Sequence, residues 1–306
     1  MRVLVLLCFA VSAWTAPVPV LWREPPDPAK LELGGTMGTP VEKPAPPFRF
    51  IREDPSGTQL KLFVTDAHGT EWHVKFGFEV KSEVFGWRLV RACGYFAEPS
   101  FLIESGHIDG VHDLKRADES LHPNGDFTLA RFQFRDPQYK FVKQAWSWTR
   151  NPFNGTPQLA GLKILIMLLS NWDNKDSSNR GPNTAIFQHG DERIYAFTDW
   201  GAGMGHWGHF TGQTNWRCDD YTADTPLFIK GVRGRFVVFG YQGGHQADFK
   251  AGVRTSDVKW LLRYLSAISD DQLKAALRVS GARGGEEDCF AAAMRTRIKA
   301  LERIAR

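Results

Sequence analysis

Cysteine is scarce in this chain, and long apolar runs are scarcer still. Four cysteines occur in 306 residues and none lies in a Cys-x-x-Cys pair, which argues against a zinc ribbon. Cys8 sits in the apolar N-terminus, so Cys93, Cys218 and Cys289 remain, and three thiols close at most one disulfide. Beyond the N-terminus no apolar stretch is long enough to span a bilayer, so no transmembrane segment is expected. Walker A and Gly-x-Ser-x-Gly sequences are both missing, which removes the motifs of P-loop enzymes and of α/β-hydrolases. The net charge of +4 is too mild for a nucleic-acid arm or a polybasic membrane patch, so no nucleic acid is expected as a partner.

What is present begins with a leader. Arg2 is a charged flank, residues 3–10 are apolar, and Val11-Ser12-Ala13 offers cleavage after Ala13. A signal peptide over 1–13 predicts a secreted or periplasmic protein. Residues 14–47 are rich in Pro and Gly and poor in periodic apolar positions, which predicts an extended linker. The remainder, with 42% hydrophobic and 24% charged residues overall, is long enough for two lobes or one large domain.

Strand-like runs cover 48–51, 60–64 and 71–76, separated by the turns Pro55-Ser56-Gly57-Thr58 and Ala67-His68-Gly69. The spacing then turns helical over 82–92, with Ser82 as N-cap and Gly94 as stop. Short strands follow at 101–103 and 127–134. Thr156-Pro157 opens an apolar helix that should run to about Ser170. A hairpin is predicted over 184–197, and helices over 257–266, 270–279 and 286–304. Strands come first and helices later, an α+β layout without βαβ alternation.

The polar groups are concentrated after that apolar helix, in Asn171-Trp172-Asp173-Asn174-Lys175-Asp176, with Asn179 just beyond. A second acid follows a strand in Thr198-Asp199-Trp200-Gly201. A charge this close to a core must be solvated, paired or metal-bound. One Asp to orient a hydroxyl, and an Asn and a second Asp to hold a divalent metal, are the groups that phosphoryl transfer needs. Lys75 ends a strand that should be partly buried, and its ammonium needs a partner, for which Glu83 on the next helix is in reach. Backbone N–H groups and hydroxyls of Ser56, Gly57 and Thr58 are placed to cradle phosphates.

The order strand Lys, helix Glu, loop Asp and Asn, then strand-end Asp-x-Gly resembles the atypical branch of the protein kinase-like superfamily: the HipA-like kinases, the phosphoinositide lipid kinases and the secreted Fam-type kinases. The resemblance covers roughly residues 56–201. It implies a two-lobed kinase-like fold, with a small antiparallel-sheet N-lobe carrying one helix over 48–134 and a larger, mainly helical C-lobe over 135–306. It also implies ATP and Mg as cofactors. Lys75 would contact the nucleotide phosphates and Glu83 would hold it; Asp173 would orient the acceptor hydroxyl or act as base, with Lys175 stabilising charge; Asn179 and Asp199 would bind the metal. The acceptor is left open between a protein, a lipid and a sugar. Three departures stand out. The position five residues after Asp173 is Ser178, with Asn179 one further, so that either the loop shifts by one residue or Asn174 substitutes; no Gly-x-Gly-x-x-Gly loop is present; and the His that commonly accompanies the catalytic Asp is missing. These keep a pseudokinase that binds nucleotide or a partner without turnover as an alternative. The 11 Trp residues keep a secreted aromatic-rich binding module as another.

Overall fold

The computed structural model describes residues 16–57, 59–208, 212–245 and 249–306; the expected leader and Thr58 lie outside them. A short strand, β1 (Val18–Val20), comes first. The predicted meander follows as β2 (Phe48–Glu53), β3 (Lys61–Thr65) and β4 (Glu71–Phe76), then helix α1 (Val80–Ala92), β5 (Ser100–Asp109) and β6 (Asp126–Phe134).

These five strands do more than form a small sheet. They close into a barrel in the order β2-β3-β4-β6-β5, with β5 returning to pair in parallel with β2 through Phe48–Ile108 and Arg49–Asp109. Closure depends on β5 running through residue 109, where only 101–103 read as strand. Its outer half has little apolar alternation. Ile108 is nevertheless fully buried, and Gly106 lies so close to Phe127 that a Cβ would stand 2.8 Å from the ring.

Strand alternation sorts the barrel into two faces. Leu62, Val74 and Phe132 are in register across β3, β4 and β6 and belong to the barrel core. Their neighbours Lys61, Lys75 and Arg131 form a row on the outer face, and Phe63, His73 and Gln133 form the next row. Helix α1 begins two residues before Ser82, so Ser82 is not its cap; the Ser82 hydroxyl instead donates to the Gly203 carbonyl at 3.0 Å. Gly94 ends the helix at φ +88°, where the left-handed backbone suits glycine.

The second half mixes helices with strands. A sheet of order β1-β9-β8-β7 is built on the predicted hairpin β8 (Thr184–His189) and β9 (Glu192–Phe197), with β7 (Lys140–Val142) on one side and β1 on the other. The helices are α2 (Pro157–Leu168), α3 (Cys218–Asp224), α4 (Thr255–Leu265), α5 (Asp270–Val279) and α6 (Glu286–Ile304), with a second hairpin of β10 (Ile229–Arg233) and β11 (Phe236–Phe239). Thr156 caps α2 by accepting from the Leu159 N–H, and Pro157 opens it. Among the described residues the one disulfide is Cys218–Cys289, tying α3 to α6, while Cys93 is a buried free thiol. No described helix is long and apolar enough to cross a membrane.

The stretch expected as linker is extended but docked. β1 adds to β9, Leu21 and Leu33 are buried in the main core, and Arg88 of α1 donates to the Leu33 and Gly35 carbonyls at 2.7 and 2.6 Å. Isolated apolar residues at wide spacing dock one at a time, and such docking leaves no periodic signal.

Candidate active site

Helix α2 is apolar apart from Gln158 and Lys163 and delivers its C-terminus into the core, where its last carbonyls need donors. Arg297 of α6 supplies one: Nη1 donates to the Leu168 carbonyl at 2.8 Å, and it donates as well to Ser170 Oγ at 2.9 Å. The chain then turns through Ser170 at φ +49° and enters the polar loop. Trp172 N–H donates to the Ala202 carbonyl, and Asn171 Nδ2 donates to the Asp199 carbonyl at 2.8 Å. The two acidic segments singled out in the sequence are thus stitched together by one backbone and one side-chain hydrogen bond.

Lys75, Glu83 and Asp199 meet, and Glu79 joins them. Lys75 Nζ stands 2.5 Å from Glu83 Oε1 and 2.5 Å from Glu79 Oε2. Arg131 Nη1, next to Lys75 on β6, pairs with the other Glu83 oxygen at 2.6 Å. Glu79, Glu83 and Asp199 each offer a carboxylate oxygen, and these three atoms lie within 4.8 Å of one another. Three carboxylates therefore face two cations, with Glu83 buried and Glu79 and Asp199 partly exposed. Burial alone would lower the Lys75 pKa, but Glu83, Asp199 and Glu79 outweigh it and hold the ammonium above the ordinary lysine range. Burial raises the pKa of Glu79. Burial also pushes that of Asp199 upward, but Lys75 and the Gly201 N–H, at 3.0 Å from Oδ1, bring it below the usual carboxylate value.

Gly201 is required by contact and not by its turn. A Cβ there would stand 2.9 Å from both Glu79 Cβ and Glu83 Oε1. Gly86 on α1 does the same for Trp200, whose Cβ would lie 2.6 Å from a side chain at that position. Helix α1 and the Asp-Trp-Gly segment are in van der Waals contact along two turns. Glu83 also lines a narrow cavity with Trp87, Glu98, Arg131, Gln133, Thr198 and Trp200.

Asp173 lies on the loop with both oxygens facing side chains. Lys175 Nζ donates to Oδ2 at 2.9 Å, and His245 Nε2 stands 3.1 Å from Oδ1. Asn179, expected as a metal ligand, is used differently: its Oδ1 accepts the Asp176 N–H at 3.0 Å and braces the loop. A second asparagine bridges the two acidic segments. Asn183 immediately precedes β8, and its Nδ2 donates to the Asp173 carbonyl at 2.7 Å. Its carbonyl accepts the Thr198 N–H beside Asp199, and no described residue hydrogen-bonds its Oδ1. Ser56 and Gly57 lie in the β2–β3 turn. Ser56 Oγ is 3.3 Å from Lys61 Nζ, and Lys61 is the register partner of Lys75. Arg116 fixes that turn by donating to the Gly57 carbonyl at 2.9 Å.

Sequence reasoning missed Glu79, Asn183 and His245. A helix read from Ser82 onward left Glu79 in a turn. Counting from Asp173 concealed Asn183, although the β-run starting at Thr184 pointed to it. No local signal marked His245.

No protein-family model and no curated protein matches the chain. Among solved structures, the proinflammatory kinase CtkA of Helicobacter pylori superposes with a TM-score of 0.50 at 11% identity, over 84% of this chain and 96% of that one. The golgi casein kinase gives 0.44 at 12% identity, over 86% and 72%, and hydra Fam20 with sugar gives 0.44 at 12%, over 84% and 84%. The described residues, with mixed strands and six α-helices, share their overall fold with CtkA.

Proposed function

We propose that the chain is a metal-dependent phosphotransferase, moving the γ-phosphoryl of ATP to a hydroxyl. The convergence of Lys75, Glu79, Glu83 and Asp199 carries the reading. The CtkA likeness supports the fold it needs. On this reading the barrel with α1 is a small lobe over 48–134, residues 135–306 are the large lobe, and the row Lys61, Lys75, Arg131 faces the gap between them.

The donor set fits a divalent cation. Glu79, Glu83 and Asp199 bring three negative charges against Lys75 and Arg131, and oxygen-only ligands suit Mg or Mn. Asp199 and Asn183 Oδ1 would hold the ion, with Glu79 completing the set. A bound divalent ion neutralises phosphate charge. Lys75, held by Glu83, binds and orients the phosphates. Asp173 orients the acceptor hydroxyl and accepts its hydrogen bond, and Lys175 offsets charge on the transferred group. Ser56 and Gly57 of the β2–β3 turn would cradle the nucleotide phosphates, the role expected of Thr58 as well. The acceptor class is a hydroxyl; protein, lipid and sugar all supply one.

The Cys218–Cys289 disulfide and the leader together favour work outside the reducing cytosol. The test is a thermal-shift titration with ATP and Mg or Mn, followed by assay of labelled γ-phosphate release or transfer. Stabilisation that needs both ligands, and turnover lost in Asp173→Ala, support the reading. Stabilisation without any turnover leaves a pseudokinase. No response to any nucleotide rejects both.

A further inference from the structure

Asp173 Oδ1 is closed off from water, yet no N–H or O–H is aimed at it. Its partner oxygen is satisfied by Lys175. A buried, ionisable acceptor without a donor is costly, and such an atom marks a place where a donor belongs. What covers it is an imidazole from a remote part of the chain: His245 Nε2 stands 3.1 Å away without pointing an N–H along that line.

The cover is built into the site. Gly244 N–H donates to the Trp172 carbonyl at 2.8 Å, and His245 N–H donates to Asn174 Oδ1 at 3.2 Å, so the backbone of this segment lies along the loop on both sides of Asp173. Both preceding glycines are needed for so close an approach. A Cβ at Gly243 would stand 2.6 Å from the Tyr241 hydroxyl, and one at Gly244 would stand 2.9 Å from the Trp207 ring and 3.1 Å from the Trp172 carbonyl. The backbone is pinned while the His245 side chain is about one-third exposed, so the ring can turn away without the segment moving.

We propose that His245 is the acceptor-side cap of this site, a specificity-determining residue that keeps water from Asp173 Oδ1 and yields only to a hydroxyl-bearing acceptor. The proposal rests on the phosphotransferase reading, because it gives Asp173 Oδ1 the task of orienting the attacking hydroxyl. Water admitted to that oxygen would attack the γ-phosphorus in place of the acceptor. The water proton would go to the carboxylate, the bond to the nucleoside diphosphate would break, and the product would be inorganic phosphate. Excluding water is what prevents that wasteful reaction.

Two measurements on the intact chain test the cap. Carboxylate footprinting with carbodiimide and glycine ethyl ester reads the accessibility of Asp173 without any nucleotide. Hydrolysis of ATP with Mg or Mn, with no acceptor added, reads the leak to water. His245→Ala is expected to raise Asp173 labelling and to raise hydrolysis by about tenfold, with nucleotide affinity unchanged. His245→Phe, which restores the cover without the ring nitrogens, is expected to return both to the wild-type level. Labelling that does not change in His245→Ala overturns the cap whatever the nucleotide does. Hydrolysis that falls, as it would in Asp173→Asn, overturns it by making His245 part of the proton transfer. Labelling that rises while no variant binds nucleotide removes the phosphotransferase reading, and the cap's role as a water shield with it.

Discussion

Lys75 and Glu83 are joined by a 2.5 Å ion pair that links strand β4 to helix α1, and Glu79 holds the same ammonium from one helical turn earlier. The pair is buried, with side-chain exposures of 9% and 6%. Removing one member of such a pair strands the other charge. Lys75→Met should therefore destabilise the protein by about 3–5 kcal/mol in urea unfolding, because three carboxylates lose their main cation. Added Mn should restore part of the loss by taking the place of the ammonium between Glu79, Glu83 and Asp199. A variant as stable as wild type, with no response to Mn, would show that these acids are not coupled.

The two asparagines of the loop separate by substitution. Asn179→Ala removes a brace on the Asp176 N–H and should cost about 1 kcal/mol of stability while leaving metal–nucleotide affinity in place. Asn183→Ala should lower that affinity by roughly 10- to 100-fold, on the scale seen when groups that orient a metal site are lost. Calorimetric titration of both variants checks the contrast. The reverse pattern would return the metal to Asn179.

Helix α1 meets the Asp199 segment through a glycine. Gly86→Ala places a Cβ 2.6 Å from Trp200 Cβ and must push the helix or the segment aside. Overpacking of this kind costs about 1–3 kcal/mol. Nucleotide affinity should fall with it, because Glu83 and Asp199 flank the contact. An alanine variant with normal melting temperature and affinity would show that the helix is free to shift.

Acid should weaken the barrel's outer face. His73 is buried between Asp54 Oδ2 at 2.8 Å, Arg131 and Arg135. Burial, with the two guanidiniums, brings its imidazole down to about 3 against the pull of Asp54. The unfolded chain then binds more protons than the folded one between about pH 6.5 and pH 3. Stability falls as pH drops through that window. The Asp54 carboxylate is held well below its usual range, chiefly by its His73 hydrogen bond, and contributes in the same direction. The melting temperature of His73→Gln should be flatter than that of wild type between pH 7 and pH 4. Parallel curves would contradict the assignment.

The Cys218–Cys289 bridge closes a sequence separation of 71 residues. Constraint of the unfolded chain over such a loop is worth about 4 kcal/mol in the entropic picture. Chemical unfolding with and without reductant measures it, and reduction should lower the midpoint without changing nucleotide binding.

Much of the site was legible because burial of charge leaves a local mark. Lys75 stood on an apolar strand, Asp173 at the end of an apolar helix and Asp199 at the end of an apolar strand, and each needed a partner. The partners themselves were less visible. Glu79 depends on where α1 starts, and a helix end is set by contacts as much as by capping sequence. Asn183 depends on how far the loop is extended between Asp173 and β8. The barrel closes through the pairing of Ile108 and Asp109 with Phe48 and Arg49, and His245 reaches Asp173 from 72 residues away; both are tertiary contacts without a local period. The docked segment at 17–47 escaped notice for the same reason.

Isothermal titration of Mn–ATP into the full chain and into Asp199→Ala tests the shared metal–nucleotide site most directly. Saturable binding by the wild type that disappears in Asp199→Ala is the expected result. Equal binding by both proteins, or none by the wild type, would contradict it.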